Sequence, residues 1–193
     1  MAKTLRSIFN IKTIPDNDFP LIVFSDCTSG LIAALIKMRT DATYNHVMWA
    51  IEPGVFASQG NTYSKVPFKR YMMKTNRLKF VRVVGLAGIQ KRIILASINK
   101  KLALPWYKKL YDWSGIFGQA VGIKSINVNG LNYCSEDVAL HLTSIIEYVS
   151  DSKFCEALSL VPLHGSPEDL NIYFKQYPQY FEVYGRWEGD ESS

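Results

Sequence analysis

The order of the apolar patterns along the chain constrains its fold more than any other feature. Runs that are fully apolar or alternate apolar with polar residues are typical of β-strands, and apolar residues at helical spacing are typical of amphipathic helices. The predicted strands are Pro20–Phe24, Tyr44–Ile51, Val55–Gln59, Ser64–Val66, Leu78–Val84 and Phe181–Tyr184. The predicted helices are Leu31–Arg39, Leu86–Leu102, Cys134–Val149 and a last one that starts at Ser166 and ends at Tyr177-Pro178. Because strands and helices do not alternate regularly, this order predicts an α+β fold rather than a series of βαβ units.

The size of the chain predicts a single domain. It has 193 residues, 48% of them hydrophobic, which is enough for one proper core. We expect an irregular lead-in over 1–19, the domain over 20–187 and a polar tail over 188–193. No apolar run approaches the roughly 18–20 residues of a membrane-spanning helix, and no hydrophobic stretch follows Lys3 and Arg6, so a cytoplasmic location is expected.

The cysteines predict a reducing compartment and no metal site. Cys27, Cys134 and Cys155 are odd in number, and their spacings match no zinc-binding pattern. No cofactor is expected either. Cys155 is interpreted as a small buried hydrophobe, and Cys27 as a structural residue, although it also stands between a strand and a helix.

Cys134 is the candidate nucleophile because a polar loop turns into an amphipathic helix at this residue. The run Asn132–Glu136 is followed by helix-spaced apolar positions. The N–H groups and dipole of a helix start lower the pKa of a thiol and make it more reactive. A buried structural role is the alternative for this cysteine.

Geometry separates the three histidines as candidate bases for this thiol. His141 lies seven residues further along the same predicted helix, about 10 Å along its axis, whereas a base must approach to ~3 Å. His164 lies in a predicted loop and is interpreted as a surface or capping residue. His46 is predicted to lie within a strand that holds its ring rigidly, and it remains the candidate base, with a core histidine as the alternative.

A third polar group is needed to hold the imidazole in the correct tautomer. The neighbouring predicted strand offers Ser58 and Gln59. Gln59 reaches further and can accept an N–H through its amide oxygen, although a neutral amide stabilises an imidazolium less than a carboxylate does.

These pieces together resemble the circularly permuted branch of the NlpC-type papain-like amidases, which includes YiiX-like proteins. The resemblance covers about Pro20 to Val149, and its order of histidine strand before cysteine helix is the permuted one. Its motifs are Asn45-His46-Val47, Val66-Pro67-Phe68, Tyr71, Tyr111-Asp112 and Tyr133-Cys134-Ser135-Glu136. Two positions depart from the family pattern: Gln59, where glutamate is more common, and Met48, where glycine is usual.

The resemblance implies a permuted papain-like fold, in which a small antiparallel sheet packs against the nucleophile-bearing helix and flanking helices. It implies Cys134 as nucleophile, His46 as base and Gln59 as the third polar residue. Tyr111 and Tyr133 are expected to shape the substrate pocket, with plain core packing as the alternative. The implied activity is hydrolysis of an amide in a peptide-like substrate, including cell-wall peptides reached through lysis or a virion.

The charge distribution supports other functions. The net charge is +5, and no acidic residue occurs between Glu52 and Asp112. Segment 65–109 is therefore a candidate contact for an anionic surface, with an ordinary solvated face as the alternative. The resemblance also implies a second activity, a lipid acyltransferase or hydrolase of the same fold, whose Pro105-Trp106-Tyr107 and basic segment would meet a membrane. A third alternative is a non-catalytic protein that keeps the fold and binds a polyanion through the basic segment.

Overall fold

A six-stranded antiparallel sheet forms the centre of the protein and confirms the α+β prediction. The computed structural model describes residues 13–26, 43–72, 76–110 and 134–189. The strands lie in the order β4-β3-β2-β1-β5-β6. Their bounds are β1 Leu21–Asp26, β2 His46–Glu52, β3 Val55–Gln59, β4 Tyr63–Pro67, β5 Arg77–Val83 and β6 Phe181–Glu188.

Four helices pack against this sheet within the described ranges. They are α1 Gly88–Leu102, α2 Cys134–Thr143, α3 Ser152–Ser159 and α4 Pro167–Gln176. Helix α2 packs mainly on β2, and it also contacts the other three helices. The nucleophile candidate therefore begins the helix at the centre of this layer.

Alternation along β2 divides its side chains between two separate hydrophobic cores. Val47, Trp49 and Ile51 belong to a cluster with residues of all four helices, on what we call the helix face. Met48 and Ala50 belong to a second cluster, on what we call the back face. Successive residues of a strand point to opposite faces, so each residue of the sheet is assigned to one face by its position.

The back face is covered partly by residues that the sequence assigned to an irregular lead-in. Ile14 and Phe19 are each only 5% exposed and pack with Leu21, Met48 and Phe80. Asp16–Asp18 forms a short 3-10 turn in the same segment. The end of the predicted lead-in is therefore part of the core.

Two helices illustrate where the predicted boundaries hold and where they shift. Ser166 caps α4 as predicted, since its side chain accepts a hydrogen bond from the Asp169 N–H and the Asp169 carboxylate accepts one from the Ser166 N–H. Helix α2 ends at Thr143 rather than Val149. The hydroxyls of Thr143 and Ser144 donate to carbonyls three residues earlier, and such local bonds compete with continued helix.

Some predictions fall outside the described residues, namely the helix Leu31–Arg39 and the aromatic turn Tyr111–Phe117. The last strand runs to Glu188, beyond the predicted Tyr184. None of the helices in the described ranges combines the length and the apolar character needed to cross a bilayer.

Candidate functional site

Cys134 is the first residue of α2 and lies on the helix face. Cys134 is 3% exposed and belongs to the same hydrophobic cluster as Val47 and Trp49 of β2. The first turn also carries Glu136 and Asp137, which are both buried. The predicted position of the cysteine at a helix start agrees with the structure.

His46 is the first residue of β2 and lies on the back face. It stands directly opposite Ser25 of β1, and its Nε2 lies 2.8 Å from the Oγ of Ser58. Its ring stacks on that of Tyr71, with centroids 6.2 Å apart and planes at 6°. Tyr71 in turn packs against the back-face cluster.

The structure thus places the candidate nucleophile and the candidate base on opposite faces of the sheet. Both lie at the same end of the sheet, because a residue close to each of them in the chain bonds to the segment around the start of α4. The Ser135 hydroxyl donates to the carbonyl of Gly165, and the Tyr44 N–H donates to the Glu168 carboxylate. No hydrogen bond among the described residues joins Cys134 to His46. A strand of the sheet with its paired neighbours lies between the thiol and the ring.

Ser58, rather than Gln59, contacts the imidazole. The Ser58 Oγ also lies 2.8 Å from the hydroxyl of Tyr71, so one hydroxyl joins two rings. Gln59 points to the helix face, where its Nε2 donates to the carbonyl of Lys109 at 2.9 Å. The physical reason is the alternation along β3, which sends adjacent side chains to opposite faces.

The environment of His46 favours the neutral imidazole. Burial lowers the pKa of His46 from 6.5 to about 4, because a charged ring loses hydration there. The ring is therefore uncharged near neutral pH, in a chain of hydrogen bonds with Ser58 and Tyr71. The ring can accept a proton, but from this face of the sheet it does not reach the Cys134 thiol to take one.

The remaining candidates occupy different positions. Tyr111, Tyr133 and Cys27 lie outside the described residues. The side chain of His164 is 70% exposed, with its Nδ1 3.3 Å from the Glu136 carboxylate, as expected for a surface residue. Cys155 is half-buried, and its Sγ lies 3.8 Å from the carbonyl of Ile146.

A polar cluster on the helix face was missed by the sequence analysis. The Asp137 carboxylate lies 2.5 Å from the Lys101 ammonium and 3.4 Å from Nε2 of His141. Nδ1 of His141 lies 2.8 Å from the Ser97 hydroxyl, and the Lys101 ammonium lies 4.7 Å from the centroid of the Tyr63 ring. His141 and Asp137 stand four residues apart on α2, which was the available signal, but Lys101 and Tyr63 come from distant elements.

Burial changes the pKa values of this cluster. Asp137 is buried, which by itself raises its pKa, but hydrogen bonding and charge from His141 and Lys101 outweigh this and lower it. Burial raises the pKa of Tyr63 well above its usual value, and the nearby Asp137 charge adds to the effect. The cluster is therefore a charged pair held inside the helix layer.

Two cations of segment 65–109 do not contribute to a free surface. Lys79 is 4% exposed, with its ammonium 4.4 Å above the ring of Phe24, and burial lowers its pKa to about 8. Lys101 pairs with the buried carboxylate of Asp137. The charge available to a partner is smaller than the sequence implies.

Other cations of this segment gather at one edge of the sheet. Strand β4 is an edge strand, and the turn after α1 lies against it because the Tyr63 N–H donates to the Lys109 carbonyl and Thr62 bridges to Leu110. The exposed cations of the elements along this edge are Lys65 on β4, Lys69 and Arg70 in the turn after its Pro67 end, Lys100 in the last turn of α1 and Lys108 in the turn after α1. We call these five residues the basic edge.

Neither a protein-family model nor a curated protein matches the sequence. Among the described residues, no three or more His, Cys, Asp or Glu side chains are grouped so that they could hold a metal ion. The geometry of the described residues therefore carries the functional argument.

Proposed function

We propose that this protein binds an anionic polymer or surface through the basic edge. The observation that supports the proposal is the meeting of exposed cations from β4 and from the end of α1 at one edge. Within the described residues, the only carboxylate in ion-pair range of these five cations is Glu52, which lies 3.4 Å from Lys65. Both partners of that pair are half-exposed, so solvent weakens their attraction and leaves Lys65 largely available.

Binding of a polyanion to the basic edge would be driven by the release of counterions and by long-range electrostatic attraction. Each cation that neutralises a phosphate or sulfate displaces a condensed counterion, so the affinity falls steeply as salt rises. Charges on an exposed edge act over roughly 10 Å at moderate salt, which suits a partner that presents many charges. A small ligand that needs a closed pocket does not require such an arrangement.

The test measures binding of the full chain to heparin and to a single-stranded oligonucleotide across a salt series. We expect measurable binding at low salt, and a steep loss of affinity as salt increases. The variant with Lys69, Arg70, Lys100 and Lys108 all changed to Gln should bind more weakly, and its salt slope should be smaller by about one for each lost contact. The matched control, Lys153→Gln with Lys175→Gln, removes two exposed lysines elsewhere and should bind like the wild type.

Either of two results would contradict this proposal. One is no binding of the wild type to any polyanion at low salt. The other is a four-site variant that binds as tightly as the control with the same salt slope.

A cysteine hydrolase is the second function that we propose, because Cys134 begins α2. The helix start favours the thiolate, which would attack a carbonyl carbon, form an acyl-thioester and release the amine or alcohol before water frees the acyl group. Peptide-like amides and lipid acyl groups are both candidate substrates. His46 lies on the opposite face of the sheet, so this function needs a base other than His46 in its present position.

Alkylation separates the two proposed functions. If Cys134 is an activated nucleophile, iodoacetamide should label it at neutral pH faster than the more exposed Cys155, and Cys134→Ser should abolish a trapped acyl adduct while folding is kept. Labelling of Cys155 ahead of Cys134, with no adduct on incubation with amide and ester substrates, would exclude the hydrolase and leave the binding function untouched.

A further inference from the structure

The turn that follows α1 exposes two aromatic rings at the basic edge. The residue exposures of Trp106 and Tyr107 are 68% and 54%, although both are large and partly apolar. They lie in the short turn Trp106–Lys108, and their rings meet edge to face at 6.1 Å and 87°. We call Trp106, Tyr107, Lys100 and Lys108 the aromatic corner.

Hydrogen bonds of Lys109, the next residue along the chain, tie this corner to neighbouring elements. The ammonium of Lys109 donates to the carbonyl of Leu102 at 3.0 Å, which satisfies an acceptor at the end of α1. The carbonyl of Lys109 accepts from the Gln59 amide and from the Tyr63 N–H. The turn that carries the two exposed rings is therefore anchored at Lys109 to β3 and β4, which reduces the ordering of the backbone that docking requires.

The composition of the corner fits the boundary between water and lipid. Tryptophan and tyrosine prefer the headgroup level of a bilayer, where the ring body is apolar and the N–H or hydroxyl stays hydrated. Exposed Lys108 lies in the same turn as the rings and exposed Lys100 in the last turn of α1 before it, and lysines near an anionic membrane each add attraction. The segment between Glu52 and Asp112, which contains the corner, has no acidic residue of its own.

The ring geometry favours a lipid surface over single-stranded nucleic acid. Single-stranded nucleic acid is held in part by aromatic faces on which successive bases stack. The near-perpendicular rings of Trp106 and Tyr107 offer one face and one edge instead. A bilayer interface has no such requirement, because it accepts any exposed aromatic side chain.

We infer that the anionic partner of the basic edge is a phospholipid surface, which the aromatic corner enters at headgroup depth. This inference rests on the proposed binding function and names its partner. The contact is peripheral: the rings enter the interface while the lysines meet the phosphates. Affinity then depends on both the apolar insertion and the lipid charge.

The experiment is sedimentation of the full chain with vesicles, either of phosphatidylcholine alone or of a two-to-one mixture with phosphatidylglycerol. We expect binding to the mixed vesicles at low salt and little binding to the neutral ones. Trp106→Ala with Tyr107→Ala should weaken binding about tenfold through lost apolar insertion. Lys100→Gln with Lys108→Gln should weaken it about fivefold for each lysine.

Two matched controls guard against general effects of substitution. Tyr148→Ala removes another exposed aromatic ring, and the Lys153→Gln, Lys175→Gln pair removes two exposed lysines away from the corner. All of these sites are exposed, so the variants should remain folded, and circular dichroism checks this. Blue-shifted Trp106 fluorescence with vesicles, lost in Trp106→Phe, is a second measure of insertion.

The outcomes distinguish this inference from the function on which it rests. Binding to heparin or the oligonucleotide without binding to mixed vesicles would overturn the lipid inference and leave the proposed function standing. Vesicle binding that the corner variants leave unchanged would also overturn it. Failure to bind vesicles and every polyanion would overturn both.

Discussion

Nε2 of His46 lies 2.8 Å from the hydroxyl oxygen of Ser58, on the sheet face opposite to the one that Cys134 contacts. The same hydroxyl lies 2.8 Å from the Tyr71 hydroxyl, so one serine connects two rings. A serine hydroxyl can donate one hydrogen bond and accept others, which satisfies both partners at once. We interpret this chain as a polar element of the back-face core.

Replacing Ser58 should show how much this hydrogen-bonded chain stabilises the protein. Ser58→Ala removes the buried hydroxyl that lies 2.8 Å from both the imidazole Nε2 and the Tyr71 hydroxyl, so we expect the free energy of unfolding to fall by about 1–3 kcal/mol. Urea denaturation measures the change. Ser64→Ala on the neighbouring strand β4 is the matched control, and it should stay within about 0.5 kcal/mol of the wild type. Equal effects of the two variants would contradict a structural role for the chain.

The stability of the protein should fall in mild acid because of His46. Its pKa is about 4 in the folded protein and 6.5 as the reference value for the unfolded chain, so the unfolded state binds more protons between these values. The contribution of the neutral His46 ring to the free energy of unfolding is therefore fully present above pH 6.5. It is lost progressively as the pH falls toward 4. The loss from this residue is at most about 3 kcal/mol.

Urea denaturation at a series of pH values, with two variants, assigns this dependence. His46→Asn should flatten the curve over that range, whereas His164→Asn, at a side chain that is 70% exposed, should leave it unchanged. A His46→Asn curve as steep as that of the wild type would mean that other groups cause the acid sensitivity.

The sequence predicted the features that depend on neighbouring residues. The start of α4 follows from Ser166, Pro167 and Asp169, whose local chemistry defines a cap in any surroundings. The hairpin of β2 and β3 follows from the turn at Pro53-Gly54, where Gly54 adopts a φ of +76°. The α+β class follows from these elements taken in order.

The sequence did not determine which face of β2 receives α2. His46, Met48 and Ala50 alternate with Val47, Trp49 and Ile51, and apolar residues occur in both sets. When a strand is buried on both faces, its sequence does not show which side chains face the helices. The face on which the His46 ring lies therefore depends on packing between distant segments. For the same reason the sequence favoured Gln59 over Ser58 as the partner of His46.

The cap of α4 gives a local prediction of stability. In Ser166→Ala the N–H of Asp169 loses its acceptor and the Asp169 carboxylate loses the serine hydroxyl, at 2.8 Å. We expect the free energy of unfolding to fall by about 1 kcal/mol. Ser150→Ala, at an exposed residue outside any helix, is the control and should have little effect. Thermal denaturation of both variants measures the difference, and equal melting temperatures would contradict the cap.

The ion pair between Asp137 and Lys101 should be among the most sensitive features of the helix layer. The side chains are 4% and 15% exposed, so Asp137→Asn leaves a largely buried ammonium without its counter-charge. We expect a loss of about 3–5 kcal/mol in the free energy of unfolding. Glu147→Gln, at an exposed acid in the turn after α2, should change it little.

A double variant separates the pair from general disruption. In Asp137→Asn with Lys101→Met both charges are removed, so the unpaired ammonium no longer exists and part of the lost stability should return. Urea denaturation of the two single variants and the double variant gives the coupling between the side chains. Losses that simply add in the double variant would show that the Lys101 charge does not depend on Asp137, and the cluster would then be a set of independent polar contacts.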